Sequence, residues 1–167
     1  MLMPDITNRG LLTAFLGQLV REKLVSNHHE FADKLMQGLL ELCGKGPGFT
    51  PAGDDFIAGY LAMLNWLFVT MRLANSIIPG YEFLSLTTWT SFKLMEYSAR
   101  NLLDDQAQAM INCLARNNVD AYVEAIELIS KRGHTSGLDF ATGMTLALFT
   151  IADRQRSTSV LESISAR

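Results

Sequence analysis

Cysteine is scarce in this chain of 167 residues, with only Cys43 and Cys113. Two thiols cannot build a disulfide framework or a cysteine-based zinc cluster, so free buried thiols in a reducing cytoplasm are expected. Charge is thin and slightly negative: 14 Lys+Arg against 17 Asp+Glu gives −3. That is the wrong sign for gripping nucleic acid or an anionic membrane. Long apolar runs are missing as well. The most apolar stretch, residues 60–73, is interrupted by Asn65 and Arg72 and falls short of the ~20 residues needed to span a bilayer. The start, Met1-Leu2-Met3-Pro4-Asp5, has neither the basic region nor the apolar run of a signal peptide. What is plentiful is hydrophobic side chain, 49% of the residues, which excludes a disordered or collagen-like chain. A soluble, cytoplasmic, single helical domain over 1–167 is the expectation.

No alternating strand pattern of useful length occurs, whereas three- and four-residue spacings recur throughout. Leu12, Phe15, Leu16, Leu19, Val20 and Leu24 predict a first helix, with Thr7 or Asn8 as N-cap. Phe31, Leu35, Met36, Leu39, Leu40 and Cys43 predict a second, stopped by Gly44 in the C′ position. A third is expected over 54–73, apolar on nearly every side and therefore central. A fourth is placed at 84–103, although Leu86-Thr87-Thr88-Trp89-Thr90 favours strand at its start. Asp104 or Asp105 would cap a fifth ending near Arg116, and Asp120 a sixth running through Ile129. The seventh would run from Ser136 to about Ala152, followed by a polar 154–159 segment and a short tail. The fold class is all-α, a bundle of about seven helices.

Residues 44–59 read Gly-Lys-Gly-Pro-Gly-Phe-Thr-Pro-Ala-Gly-Asp-Asp-Phe-Ile-Ala-Gly. The glycines and prolines at its start belong to neither flanking helix. A second segment echoes it: Gly53-Asp54-Asp55-Phe56-Ile57-Ala58-Gly59 aligns with Gly137-Leu138-Asp139-Phe140-Ala141-Thr142-Gly143. The shared skeleton is Gly-x-Asp-Phe-x-x-Gly, suggesting an internal duplication, and hydroxyls precede each copy, Thr50 in one and Thr135 and Ser136 in the other. A Gly-rich turn into a helix start presents unpaired N–H groups and the positive end of the helix dipole, an anion site in waiting. Lys45, and Arg132 or His134, would add charge. Glycine inside a helix costs about 1 kcal/mol relative to alanine, so the pair Gly59 and Gly143 predicts two helices crossing closely near their starts, with both loops facing one site. A purely structural reading stands beside this: Asp55 and Asp139 as first-turn acids that stabilise helix N-termini, and Thr50-Pro51 as an ordinary N-cap and N1 pair.

These two motifs, the 44–59 segment and Gly133-His134-Thr135-Ser136-Gly137-Leu138-Asp139-Phe140-Ala141-Thr142-Gly143, resemble the AllH-like family, which includes a subunit of oxamate carbamoyltransferase. The resemblance covers about residues 30–150. It implies a role in carbamoyl transfer within a multi-subunit assembly, with oxalurate and phosphate interconverting with oxamate and carbamoyl phosphate. It further implies that Gly46, Gly48, Gly53 and Gly137 cradle a small anionic metabolite. Lys45 would be an electrostatic clamp, and Thr50, Thr135 and Ser136 donors. Asp54, Asp55, Asp139 and His134 would be the catalytic candidates, and Asp54 with Asp55 would hold Mg²⁺ if a cation is used. Family members carry a longer region ahead of the Gly-rich loop, where this chain has 43 residues. A non-catalytic helical assembly subunit, or an inactive short paralogue, is therefore the alternative expectation.

Other motifs are weaker. Gly44-x-Gly46 follows no strand and closes on no Lys-Ser/Thr pair, so neither a dinucleotide fingerprint nor a P-loop fits. His28-His29-Glu30 puts neighbouring side chains on different sides of a helix and reads as a solvated turn. His134 serves equally as a loop-structuring residue or a general base. The eight methionines, with Trp66 and Trp89, are expected in the core or at a subunit interface. A helical transcription regulator would need a basic recognition helix that is not present. Homo-oligomers or partner subunits are the expected associations.

Overall fold

A computed structural model describes residues 28–71 and 76–165, and within them every element is a helix. They are α1 (His28–Leu42), α2 (Ala52–Met71), α3 (Tyr81–Leu84), α4 (Trp89–Ala99), α5 (Asp105–Ala115), α6 (Val119–Ile129) and α7 (Ser136–Ser165). The helix expected at 12–24, with its Thr7 or Asn8 cap, lies outside the described residues.

The all-round apolarity of α2 makes it the axis of the fold. Ile57, Ala58, Leu61, Ala62, Met63, Leu64 and Phe68 are completely buried, on several faces of one helix. Its most extensive contact is with α7, followed by α4. α5 packs on α6, and α6 in turn touches α7. A polar residue in the middle of α2 also sits in this core. Asn65, also fully buried, donates to the carbonyls of Ile77 (2.7 Å) and Ala99 (2.9 Å) and accepts from the Ile77 N–H (2.8 Å). It thus ties the segment before α3 and the end of α4 to the middle of α2, with every hydrogen bond satisfied as burial demands.

The crossing of α2 and α7 is as close as the glycine pair suggested. A Cβ at Gly59 would lie 1.9 Å from the carbonyl oxygen of Phe140, and one at Gly143 would lie 2.0 Å from that of Phe56. Each glycine admits the backbone of the other helix at the residue three positions before the other glycine. The contact is reciprocal, as in a two-fold arrangement.

Four boundaries differ from the sequence expectations, each for a local reason. The single helix expected at 84–103 is two, broken at residues 85–88. Thr88 there takes an extended backbone and its side chain accepts from Ser91 N–H; short hydroxyl side chains favour caps over helix interiors. Its end comes earlier, at Ala99, because Asn101 adopts a left-handed φ of 58°. The sixth helix is capped by Asn118, which accepts from Ala121 N–H at 3.0 Å, leaving Asp120 within the first turn. Asp104 does cap α5, accepting from Ala107 N–H. Finally, α7 continues to Ser165. No glycine or proline follows Gly143, so the polar 154–159 segment gives the helix nothing to stop on.

Alanine at Gly59 or Gly143 should destabilise the protein by about 2–3 kcal/mol, the cost of overpacking, or roughly 5–10 °C in Tm. Alanine at Gly38, an exposed α1 position with no described residue within 4 Å of the new Cβ, should instead raise stability by up to about 1 kcal/mol. Thermal denaturation of the three variants checks the contrast.

Candidate functional site

The two Gly-rich loops are built on one plan. In the first, Gly53 donates its N–H to the Lys45 carbonyl (2.9 Å); in the second, Gly137 donates to Arg132 (3.1 Å). A Cβ on Gly53 would meet the Leu42 carbonyl oxygen at 2.1 Å, and one on Gly137 would meet that of Ile129 at 1.8 Å. Leu42 ends α1 and Ile129 ends α6. Each glycine therefore seats the start of a long helix against the last carbonyl of the preceding one. The first loop is longer by three residues between these matched points, where Gly46 and Gly48 take φ of 98° and 118°, backbone that only glycine adopts readily. This excursion carries Lys45 and Phe49 into solvent, Phe49 with 84% of its surface exposed.

The loops meet through their hydroxyls. The hydroxyl oxygens of Thr50 and Ser136 are 3.3 Å apart, and Thr50 donates to Asp55 Oδ2 at 2.9 Å. Thr50 is thus engaged by the site, while α2 begins at Ala52 with the N–H groups of Asp54 and Asp55 on the Pro51 carbonyl. The matching acid of the second unit, Asp139, donates its N–H to the Thr135 carbonyl at 2.9 Å. Its Oδ2 is buried and has no hydrogen-bond partner among the described residues.

Asp55 is almost wholly buried. Burial pushes its carboxyl above the usual range; Ser136 and Thr50 hydroxyls pull it down, neighbouring Asp139 pushes it up again, and Arg132 opposes that. The surrounding charges are therefore mixed, with two acids from two helix starts and one guanidinium. Arg132 is itself committed, pairing with Asp104 and lying 5.3 Å over the Phe140 ring.

Asp54, the neighbour of Asp55, has a different environment. It is fully buried, accepts from Gly44 N–H at 2.7 Å and from the hydroxyl of Thr87. Both oxygens are thus occupied by protein donors that fix the first loop to the α3–α4 turn. Thr87 was not singled out by the sequence, and nothing local in it announces the bond. Nearby, burial and the Asp54 charge push the Cys43 thiol up to about 12. It donates to the Phe83 carbonyl at 3.6 Å, so this cysteine is structural; Cys113 is only half-buried.

Of the expected site residues, Thr50, Asp55, Ser136 and Asp139 come together. Gly53 and Gly137 form the helix seats behind them. Lys45, Gly46 and Gly48 lie on the exposed first loop, and His134 and Thr135 are exposed on the second. Among the described residues, no group of three or more His, Cys, Asp or Glu could hold a metal ion. With both Asp54 oxygens already taken by protein donors, the Asp54–Asp55 pair does not suit Mg²⁺.

An all-helical protein with two like loop–helix units joined at one crossing is the class defined by this geometry. The chain belongs to the family described as oxamate carbamoyltransferase subunit AllH, matched by residues 42–148. The match starts at the last residue of α1 and ends within α7, so it contains both units. Neither the curated proteins nor the solved structures gave a match.

The raised Asp55 carboxyl has a sign that can be tested. A carboxyl held above its unfolded value stabilises the fold fully at low pH, and that contribution is lost as pH rises through the folded value. Relative to Asp55→Asn, the wild-type protein should lose stability as pH climbs from about 3.8 towards neutrality. Denaturant titrations of both proteins across that range check it, and parallel curves would refute it.

Proposed function

We propose that this chain is the part of a carbamoyl-transferring assembly that holds a small anion bearing a carbamoyl NH₂ group at the junction of its two Gly-rich loops. The observation that carries this reading is the 3.3 Å contact of Thr50 with Ser136 beside Asp55 and the unpartnered Asp139 oxygen. Two helix starts bring the positive ends of their dipoles to an anionic group. Two carboxylates beside them are acceptors and oppose a bare anion, yet they suit a donor such as an amide NH₂. Oxamate, oxalurate and carbamoyl phosphate each carry both kinds of group.

On this reading the NH₂ end lies towards Asp55 and Asp139, and the carboxylate or phosphate end towards the loop N–H groups and Lys45. Thr50 and Ser136 hydroxyls bridge the two, able to donate or accept. Gly46 and Gly48 shape the cradle, Gly53 and Gly137 hold the helix starts in place, and Thr135 and His134 border it from the second loop. Asp54 acts through Gly44, as a positioning residue. Any group transfer would need residues from partner subunits beside those named here.

A thermal-shift titration with oxamate, oxalurate, carbamoyl phosphate, phosphate and oxalate tests the reading. The three carbamoyl compounds should raise Tm saturably, by the equivalent of about 2.7 kcal/mol at a hundredfold excess over Kd, and more strongly than phosphate or oxalate. Ser136→Ala and Lys45→Ala should each weaken binding about tenfold, about 1.4 kcal/mol. Equal shifts with oxalate would remove the role of the two acids. No shift with any compound would leave the chain as an assembly subunit alone.

A further inference from the structure

Among the described residues, the outer side of α7 is apolar and open. Leu138, Thr142, Leu146 and Phe149, with Ile126 of α6, line a groove of about 260 Å³. Leu138, Leu146 and Phe149 are exposed, Phe149 at 60%, and the exposed Val119 and Val123, on the Ile126 side of α6 by helical spacing, continue the apolar surface. From Phe140 to Ala152 the chain carries no charged residue. Contiguous exposed apolar surface of this kind marks an interaction site.

The side of α6 beyond Val119 and Val123 indicates the partner's chemistry. Asp120, Glu124 and Glu127 are exposed on α6, at spacings of four and three that place them along one side of the helix, with Lys131 ending the row. A groove between two helices receives a third helix by ridge packing, and an acidic edge favours a basic flank on that helix. A second copy of this chain brings the same acidic row and a net charge of −3, and an anionic lipid surface is repelled by it. The family description as a subunit supplies an independent reason for a different protein to be present.

We infer that the α6–α7 groove seats an amphipathic helix of a second, different subunit, with its apolar side on Leu146 and Phe149 and a lysine- or arginine-bearing flank along Asp120, Glu124 and Glu127. The groove starts at Leu138, next in sequence to Asp139, so a helix seated there would reach the edge of the candidate site. The inference stands whether or not that site binds a carbamoyl compound.

The test titrates the full chain with two labelled synthetic helical peptides. Both carry leucines at three- and four-residue spacings; one has a lysine flank, the other a glutamate flank. The lysine peptide should bind saturably and more tightly than the glutamate peptide. Phe149→Glu should weaken its binding about tenfold or more, with the circular dichroism unchanged. The Glu124→Lys/Glu127→Lys double variant should shift preference to the glutamate peptide. No binding, equal binding of both peptides, or insensitivity to Phe149→Glu would each overturn the inference. So would sedimentation of the chain alone as a dimer that Phe149→Glu dissociates, because the groove would then be filled by a second copy.

Discussion

The approach of two glycines to two carbonyls sets the geometry on which everything else in this protein depends. Gly59 and Gly143 let α2 and α7 cross with backbone against backbone. Each lies four residues after an acid, Asp55 and Asp139, so one helical turn separates the crossing from each acid. Moving the helices apart by the width of a methyl group would separate Thr50 from Ser136 as well as loosening the core. Fold stability and site geometry therefore share one contact. That accounts for two helix-interior glycines that intrinsic propensity alone would select against.

Sequence neighbours at the site have separate tasks. Asp54 and Asp55 are about 100° apart around α2, and their partners differ accordingly. Asp54 turns to Gly44 and Thr87, closing the first loop against the α3–α4 turn. Asp55 turns to Thr50 and the second loop. The first acid has both oxygens satisfied within the protein, the arrangement that makes a buried carboxylate tolerable. The second shares its surroundings with Asp139, whose buried oxygen is left over. A pair of adjacent acids thus divides into one that fixes a loop and one that faces its counterpart from the other unit.

Much of this was legible in the sequence because it was written twice. The Gly-x-Asp-Phe-x-x-Gly skeleton identified the two units, and glycine inside a helix has few explanations besides close approach. The centrality of α2 followed from its lack of a polar face. What was not legible depended on contacts distant in sequence or on competition between adjacent residues. The bond from Thr87 to Asp54 spans 33 residues and leaves no local signature. Asn118 rather than Asp120 caps α6, since the preceding Asn117 takes the left-handed turn (φ 54°) that positions it. The run to Ser165 is hidden by the polarity of 154–159, since helices end on caps and breakers and not on polar residues as such. Asn65 looked like a mere interruption of an apolar run, yet it holds two other segments to the core through three hydrogen bonds.

On the proposed reading, the electrostatics of the junction select one kind of ligand on general grounds. Two helix starts brought together concentrate partial positive charge, and a first-turn acid on each already offsets it. A simple anion arriving there gains the dipoles but meets Asp55 and Asp139. A simple cation gains the acids but meets the dipoles and Arg132. A molecule with a donor-rich amide at one end and a negative group at the other can satisfy both, provided that it sits across the junction and not within one loop. The carbamoyl compounds of the proposed function have that polarity over a few bonds. The exposed excursion around Gly46 and Gly48 places Lys45 on the solvent side, where on that reading a long flexible ammonium would follow the negative end without being buried. The same logic explains why the site rests on two loops: neither unit alone presents both an acid pair and a second helix start.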